Sequence, residues 1–330
     1  MGAEREQHAG INRLKPLVSI LIPCYNAERW IASAIESALA QTWPEKEILV
    51  VDDGSTDKSL DVIKSFGEKI RWETGPNRGG NAARNRLLKL AGGEWLQYLD
   101  ADDYLLREKV SRQVEFLAVH PDTEILFSPH TLERYLAGGT SLEDTVVPDP
   151  CDIWVLFARW FLPGTGSGIW SRQAVVEAGG WDEQQSCCQE HELYLRLLMA
   201  GKRFRYCGHG GYIYRHWGEN TVSKRNKRET HVRRLAIVRR AEDFLRQRNE
   251  LTSERLQAIN QGRFETARMA WLYDPQFAAQ IIETIRHSQP AFVPDGRAAP
   301  AGYQAIYRTL GFQAAEQLAA WKRKVMKPAV

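Results

Sequence analysis

Three carboxylates stand within four residues at Asp100-Ala101-Asp102-Asp103, directly after an apolar run. A strand that ends in acids presents them at its carboxyl end, which is where open α/β sheets bind ligands. Carboxylates this close repel one another unless a cation or a hydrogen-bond donor lies between them. Oxygen ligands favour Mg²⁺ or Mn²⁺, and these ions favour phosphate oxygens. The alternative interpretation is a solvated acidic turn that caps a helix beginning near Arg107.

Two more polar clusters follow predicted strands, and a third polar run precedes the acidic cluster. They are Pro23-Cys24-Tyr25-Asn26, Asp52-Asp53-Gly54-Ser55-Thr56-Asp57 and residues 77–85. Because the carboxyl ends of neighbouring parallel strands meet at one edge of a sheet, we expect these clusters to converge there.

The elements that would position the clusters alternate between strand and helix. Apolar runs predict strands at residues 17–22, 47–51, 70–73, 94–99 and 123–128. Helical spacing predicts helices at residues 29–41, from Thr56 or Asp57 onward, at 79–91 and at 107–120. This alternation implies right-handed crossovers, so we predict an α/β fold with a mostly parallel sheet.

The rest of the chain is less regular. A glycine-rich loop at residues 164–168 lacks the GxGxxG spacing, and no strand runs directly into it, so we interpret it as a loop that needs close backbone approach. Helices are predicted at residues 151–161 and 190–200, followed by two short aromatic strands that end near Trp217. The chain reads as helical from residue 221 onward.

Length, charge and composition exclude several classes of protein. A chain of 330 residues is long enough for one large α/β domain with an appendage, and a net charge of +3 gives no field that favours nucleic acid. Its five cysteines have no CxxC spacing, which favours reduced thiols in the cytoplasm. The polar N-terminus lacks a signal-peptide core, and no apolar run is long enough to span a membrane. We expect a cytoplasmic protein, peripheral at most at the inner face of the membrane.

Four blocks in this order resemble the family-2 glycosyltransferases, which have the GT-A fold, a Rossmann-like, mostly parallel sheet flanked by helices. The blocks are residues 18–26, 48–57, 77–85 and 98–103, with a weaker block at 179–196. The resemblance implies a domain at residues 17–220, with a nucleotide-sugar-binding half at 17–130 and an acceptor and base half at 131–220. A polar tail at 1–16 and a helical region at 221–330 would flank this domain.

The resemblance implies inverting, metal-assisted transfer of a sugar from a nucleoside diphosphate donor, with a UDP-sugar favoured. The acceptor hydroxyl would belong to a glycan, a lipid-linked molecule or a protein, in cell-surface glycan or polysaccharide synthesis. Donor binding would fall to Pro23, Tyr25, Asn26, Asp53, Arg84, Asp100 and Ala101.

For Asp53 and Arg84, donor binding has a physical reason, and each residue also has an alternative structural role. The carboxylate of Asp53 would accept a hydrogen bond from the imide N–H of uracil. For both Asp52 and Asp53, the alternative to a functional role is an ordinary turn before a helix. For Asp52 the two interpretations are equally supported. Arg84 would contact the donor, or it would pair with a nearby acid on its helix face.

For the metal, the resemblance implies Mn²⁺ or Mg²⁺ bound directly by Asp102, with Asp100 near the ribose or the metal. Asp103 would help, or it would cap the following helix. His216 lies where relatives place a histidine that reaches the metal or the diphosphate, and imidazole is an acceptable Mn²⁺ ligand. Its alternative is a packed, hydrogen-bonded histidine among aromatic residues.

The general base would come from residues 189–196, a variant of the family's Glu-Asp-x-Asp-Leu-x-x-Arg pattern. On that alignment Glu190 takes the place of the catalytic aspartate and removes the proton from the acceptor hydroxyl. The sequence departs from the pattern at Gln189, and Glu190 is one methylene longer than aspartate. His191 and Glu192 are rivals for the role, and a polar helix face is the structural alternative.

Residues 224–248 contain ten lysines and arginines, which favours either a solvated helix face or a surface that docks on an anionic membrane or a lipid-linked phosphate. Arg215, Lys224 and Arg225 are candidates for phosphate contact, and Trp217 for stacking on a sugar. A nucleotide-sugar sensor without turnover is the main functional alternative. A sugar-phosphate nucleotidyltransferase is disfavoured, because no glycine-rich, basic triphosphate loop follows the first strand.

Overall fold

The computed structural model describes residues 15–136, 139–148, 152–217 and 226–325. Its strands are β1 (Val18–Cys24), β2 (Lys46–Asp52), β3 (Arg71–Thr74), β4 (Trp95–Tyr98), β5 (Tyr104–Leu105), β6 (Ile125–Phe127), β7 (Thr131–Leu136), β8 (Gly139–Asp144), β9 (Ile169–Ser171), β10 (Phe204–Tyr206) and β11 (Tyr212–His216). Its helices are α1 (Ile31–Leu39), α2 (Ser59–Ser65), α3 (Gly80–Leu90), α4 (Lys109–Val119), α5 (Ile153–Ala158), α6 (Arg172–Glu177), α7 (Gln189–Met199), α8 (Lys227–Gln247), α9 (Ser253–Trp271), α10 (Pro275–Ser288) and α11 (Ala301–Val325).

The chain divides into two compact units that are discontinuous in sequence. The first unit contains the described residues up to Thr145 together with Thr165–Trp181 and Cys207–His216. The second contains the described residues of Val146–Gly164, Asp182–Tyr206 and the chain from Trp217 onward. The domain boundaries expected at residues 16 and 220 stay a prediction.

The main sheet of the first unit is mostly parallel, as the strand and helix alternation predicted. β1 pairs in parallel with β2 and β4, and β3 pairs in parallel with β2. β9 is antiparallel to both β4 and β6, so the strands of this unit lie in the order β6-β9-β4-β1-β2-β3. The register places Cys24 opposite Asp52 and Leu21 opposite Tyr98. The carboxyl ends of β1, β2 and β4 therefore lie along one edge.

Helix α1 shows why this layer forms. Ile31, Ala34, Ile35 and Ala38 recur at helical spacing, and all four are buried in the same core cluster as the inward side chains of β1. Burial of an apolar face contributes roughly 25 cal/mol per Å² removed from water, which fixes the helix on the sheet.

A second, four-stranded sheet in the order β5-β11-β7-β8 was not predicted from the sequence. β11 pairs in parallel with β7, and β8 is antiparallel to β7. The side chains of β8 are mostly exposed, and β5 has two residues, so neither shows the apolar alternation that marks a half-buried strand.

The glycine-rich loop makes the close backbone approach that the sequence predicted. A 3₁₀ turn at Thr165–Ser167 is buried, and its backbone carbonyls accept hydrogen bonds from buried side chains. The amide of Gln97 donates to Gly166 O at 2.8 Å, and the hydroxyl of Ser128 donates to Ser167 O at 2.6 Å.

Replacing Gly166 by alanine is expected to destabilise the first unit. The added Cβ would overlap the ring of Tyr212, so the ring or the loop must move, at a cost of about 1–3 kcal/mol. Chemical denaturation followed by fluorescence measures this loss. Gly164→Ala is the matched control, because no atom lies within 4 Å of its added Cβ. Equal stability of the two variants would contradict the packing described for Tyr212.

The second unit is helical from residue 226 to 325 apart from short connections, as predicted for the chain after residue 221; residues 221–225 lie outside the described part. Its core gathers aromatic and aliphatic side chains from the last four helices around Phe264. An ion pair of Arg263 with Glu242 at 2.5 Å is also buried there.

Among the residues described, no helix is long and apolar enough to cross a membrane. Cys24, Cys187, Cys188 and Cys207 are free thiols, and Cys151 lies outside the described residues.

Candidate functional site

The loops that follow β1 and β2 are tied together by Asn26, which has a left-handed backbone conformation (φ 49°). Its side-chain oxygen accepts a hydrogen bond from Thr56 N at 2.8 Å, and its backbone N–H donates to Ser55 Oγ at 3.0 Å. Tyr25 is 50% exposed beside it, and Pro23 is half-buried at the end of β1. The two predicted clusters therefore meet, as the strand register requires.

Asp53 fixes the loop that precedes α3. Its two carboxylate oxygens accept backbone hydrogen bonds from Arg78 N at 2.9 Å and Gly79 N at 2.8 Å, and the residue is buried. Contact of Asp53 with a nucleotide base stays a prediction. Asp52 accepts from Thr74 Oγ1 at 2.7 Å and from Ser55 N at 3.3 Å, which are the contacts of a turn-forming residue.

Arg84 and Asp100 form an ion pair of 2.8 Å. The guanidinium also lies over the ring of Trp181, 4.9 Å from its centroid. Pairing with a nearby acid was the alternative stated for Arg84, and a donor contact of Arg84 stays a prediction. The carboxylate of Asp100 remains one-third exposed, and the arginine charge lowers the repulsion among the neighbouring acids.

Asp103 is buried inside the first unit, and it does not cap the following helix. The N-cap of α4 is Glu108, without a side-chain capping bond, so the helix-capping alternatives for Asp103 and for the acidic turn are wrong. One carboxylate oxygen of Asp103 accepts the hydroxyl of Tyr212, and the other accepts Arg215 N at 2.8 Å. Burial, together with the charges of Asp102 and Asp100, holds the pKa of Asp103 well above its usual range.

Asp102 is half-buried between Ala101 and Asp103, which are both buried. His216 ends β11, half-buried, with its Nδ1 3.5 Å from Arg134 Nη1. Within the described ranges no three acids, histidines or cysteines are grouped to hold a metal. Mg²⁺ is commonly held by one or two carboxylates together with substrate phosphates, and the accessible acids Asp100 and Asp102 suit that kind of site.

Helix α7 carries the predicted base and its two rivals. His191 is 3% exposed and stacks on Trp160, with the ring centroids 3.7 Å apart. Burial, and then Arg234, lowers the pKa of His191 well below its usual value. Glu192 is also buried, and it accepts from Arg196 at 2.8 Å and Arg240 at 3.0 Å.

Glu190 differs from both rivals because its side chain is half-buried, in the first turn of α7. A helix N-terminus favours the anionic form of a carboxylate, which is the form that a general base requires. Within the second unit, these surroundings favour Glu190 over His191 and Glu192, while its role stays a prediction.

The arginines of α8 are largely paired with acids, which supports the interpretation of a solvated, ion-paired face. The pairs are Arg233–Glu229, Arg239–Asp243, Arg240–Glu192 and Arg246–Glu242. Lys224 and Arg225 lie outside the described residues. Trp217 is 45% exposed, and sugar stacking by it stays a prediction.

Arg215 is held inside the first unit. Its guanidinium pairs with Glu133 at 3.1 Å, and it lies against the rings of Trp30 and Tyr104, 4.9 and 4.4 Å from their centroids. These contacts favour a structural role over the phosphate contact that was predicted from the sequence.

Comparison with known proteins shows which family part of the chain matches. Residues 19–131 match the model of Glycosyl transferase family 2. The chain is 39% identical over 113 residues to the UDP-Glc:alpha-D-GlcNAc-diphosphoundecaprenol beta-1,3-glucosyltransferase WfaP of Escherichia coli, covering 34% of this chain and 43% of that protein. It is 30% identical over 227 residues to the hyaluronan synthase of Pasteurella multocida, covering 65% of this chain and 22% of the relative. The chain thus spans less than half the length of these relatives.

The fold has a counterpart among solved structures. The crystal structure of S. aureus TarS 1-349 in complex with UDP-GlcNAc aligns with a TM-score of 0.64 at 16% identity, covering 95% of this chain and 93% of that one. With the parallel sheet and the order of the strand-end clusters, the match assigns residues 19–131 to glycosyltransferase family 2, and the chain has the GT-A fold.

Proposed function

We propose that the protein transfers a sugar, with inversion, from a nucleoside diphosphate donor to an acceptor hydroxyl in the synthesis of a cell-surface polysaccharide. The observation that carries this proposal is the meeting of the β1, β2 and β4 loops at one sheet edge, with Asp100 and Asp102 partly accessible there. The name of the E. coli relative specifies a UDP-glucose donor and a lipid-linked acceptor, and the TarS structure contains UDP-GlcNAc. A UDP-sugar donor is therefore favoured.

The nucleotide would bind across the loops after β1 and β2. Tyr25 offers an exposed ring for stacking, and Asn26 is already fixed by two hydrogen bonds, so little ordering accompanies binding. Asp53 would accept from the base while it holds Arg78 N and Gly79 N, because a carboxylate has about four acceptor sites. Pro23 and Ala101 would contribute backbone contacts to the same edge.

The diphosphate would be held beside the turn at residues 100–103. Asp102 would bind Mn²⁺ or Mg²⁺, with Asp100 beside it and His216 as a second candidate ligand. When bound, the ion neutralises negative charge on the departing diphosphate. Arg84 would keep Asp100 oriented toward the donor through their ion pair.

Glu190 would accept the proton from the acceptor hydroxyl as that oxygen forms its bond to the anomeric carbon. The bond from the anomeric carbon to the diphosphate oxygen breaks on the opposite face, which inverts the configuration. A single base is enough, because the leaving group departs as a phosphate anion. The acceptor would be a glycan, a lipid-linked molecule or a protein.

The altered base motif, with Gln189 in place of the family's glutamate, is the observation that favours the second candidate, a nucleotide-sugar sensor without turnover. The enzyme would work in the cytoplasm, peripheral to the inner face of the membrane if its acceptor is lipid-linked. The ion pairs along α8 weaken the case for residues 224–248 as the docking surface.

A thermal-shift panel of nucleoside diphosphates and their sugars, each with Mn²⁺ and with EDTA, tests the donor class. We expect UDP and a UDP-sugar to stabilise the protein more strongly with Mn²⁺ than with EDTA, by about 2.7 kcal/mol at a ligand concentration of 100 Kd in Mn²⁺. Product assays on the stabilising donor then separate the candidates: transfer or donor hydrolysis supports the enzyme, and binding without turnover across acceptors supports the sensor. Stabilisation by no nucleotide would contradict both.

A further inference from the structure

We propose that three residues form a clamp that positions the carboxylate of Asp102 for the metal. The Asp103 clamp consists of Asp103, Tyr212 and Arg215, and its role rests on the proposed function. None of the three would touch the donor or the metal, so we describe them as positioning residues.

The clamp begins with Asp103, whose carboxylate is directed into the first unit. Asp103 has no exposed surface, and Tyr212 is 3% exposed. The Tyr212 hydroxyl donates to one oxygen, and the backbone N–H of Arg215 donates to the other at 2.8 Å. Both oxygens of Asp103 are therefore engaged by β11, and this carboxylate anchors the acidic turn to that strand.

Arg215 fixes the same turn at Asp102. Its Nη1 donates to the backbone carbonyl of Asp102 at 3.3 Å, while Nη2 donates to Ser33 Oγ at 3.0 Å and Nε pairs with Glu133 at 3.1 Å. A guanidinium held at three points loses little further freedom, which makes it an effective support. The turn itself is closed by the backbone hydrogen bond from Asp103 N to Asp100 O at 3.0 Å.

Tyr212 is in turn fixed by the glycine loop. Its ring occupies the space that a side chain at Gly166 would take, and that loop is bonded through Gly166 O to Gln97. Leu106 N also donates to Gly211 O at 2.7 Å, which holds the start of β11 beside the chain that follows the acidic turn. The position of the Tyr212 hydroxyl is therefore set by packing.

The result is that the backbone carbonyl of Asp102 and the side chain of the next residue, Asp103, are both held by β11. Because β11 also ends in His216, the clamp connects both candidate metal ligands to one strand. A carboxylate on a fixed turn binds a metal with less loss of freedom than one on a mobile loop, so the clamp is expected to raise metal affinity.

The test is Tyr212→Phe, which removes the hydroxyl and keeps the ring. Calorimetric titration of UDP is made with Mn²⁺ and with EDTA, and Mn²⁺ itself is titrated at saturating UDP. We expect the apparent Mn²⁺ affinity to fall about 10-fold, which corresponds to about 1.4 kcal/mol, while UDP binding in EDTA is unchanged. Arg215→Lys, which loses the planar fork, is expected to act in the same direction.

Tyr303→Phe is the matched control, because its hydroxyl also donates to a buried carboxylate, Glu316, at 2.8 Å in the second unit. It should lose comparable thermal stability without a change in Mn²⁺ affinity. Wild-type Mn²⁺ affinity in both Tyr212→Phe and Arg215→Lys would overturn the clamp and leave the proposed function intact. Absence of Mn²⁺-dependent UDP binding in the wild-type protein would overturn both.

Discussion

Replacing Glu190 by glutamine is expected to lower the rate of sugar transfer by about 10²–10⁴-fold, the usual contribution of a general base. Glutamine keeps the size and polarity of the side chain but cannot accept the proton of the acceptor hydroxyl. Donor affinity should be unchanged, because the proposed base contacts the acceptor. Turnover and UDP-sugar binding, measured on the same preparation, separate these two effects.

Glu190→Asp is the first control, because it keeps a carboxylate and restores the residue that the family pattern has at this position. It should retain substantial activity. Glu192→Gln is the second control: Arg196 and Arg240 would lose their shared buried partner, so the expected effect is mainly a lower melting temperature. Full activity of Glu190→Gln would remove Glu190 from the mechanism.

Replacing Asp102 by asparagine is expected to have the second large effect. The change removes the negative charge that would bind Mn²⁺ and keeps the side-chain volume, so the fold should be preserved. Loss of several kcal/mol of charge stabilisation corresponds to a rate about 10²–10³-fold lower. Donor binding should also lose its dependence on Mn²⁺.

The measurement is turnover and UDP affinity across a Mn²⁺ titration. Glu68→Gln removes an acid from an exposed 3₁₀ turn of the same unit and serves as the charge-matched control, with no expected change. An Asp102→Asn enzyme that keeps wild-type turnover and Mn²⁺ dependence would be incompatible with the proposed metal site.

Much of the first unit could be predicted, because its elements follow local apolar patterns. β1, β2 and β4 are short, buried runs, and α1 and α4 show helical spacing, so each was expected within a few residues of its observed bounds. The convergence of polar loops at the sheet edge followed from the topology of parallel strands.

The second sheet and the clamp could not be predicted in this way, because they depend on contacts between residues distant in sequence. Asp103 and Tyr212 are separated by 109 positions, and no local pattern distinguishes a buried Asp103 from an accessible Asp102. The sequence of Tyr212–His216 does contain one signal of such contacts. A strand that is rich in aromatic residues and also carries an arginine requires partners for the arginine's charge.

Helix α7 illustrates a different limit. Its sequence has polar residues through Glu192, which suggested an exposed polar face, yet His191 and Glu192 are buried along with Leu193, Tyr194 and Leu195. Most of this helix is buried, and an arginine from elsewhere in the second unit pairs with its buried acid. The polar residues therefore do not mark an exposed face. The sequence therefore left three candidates for the base, and the second unit's own packing favours Glu190.

The proposed function requires a divalent ion to bind at Asp102 together with the donor diphosphate. Anomalous diffraction from crystals soaked in Mn²⁺ and UDP shows whether it does. We predict an anomalous peak in contact with the Asp102 carboxylate and with phosphate oxygens of UDP. A bound UDP with no manganese peak at Asp102, or a peak at other residues, would contradict the proposed metal site.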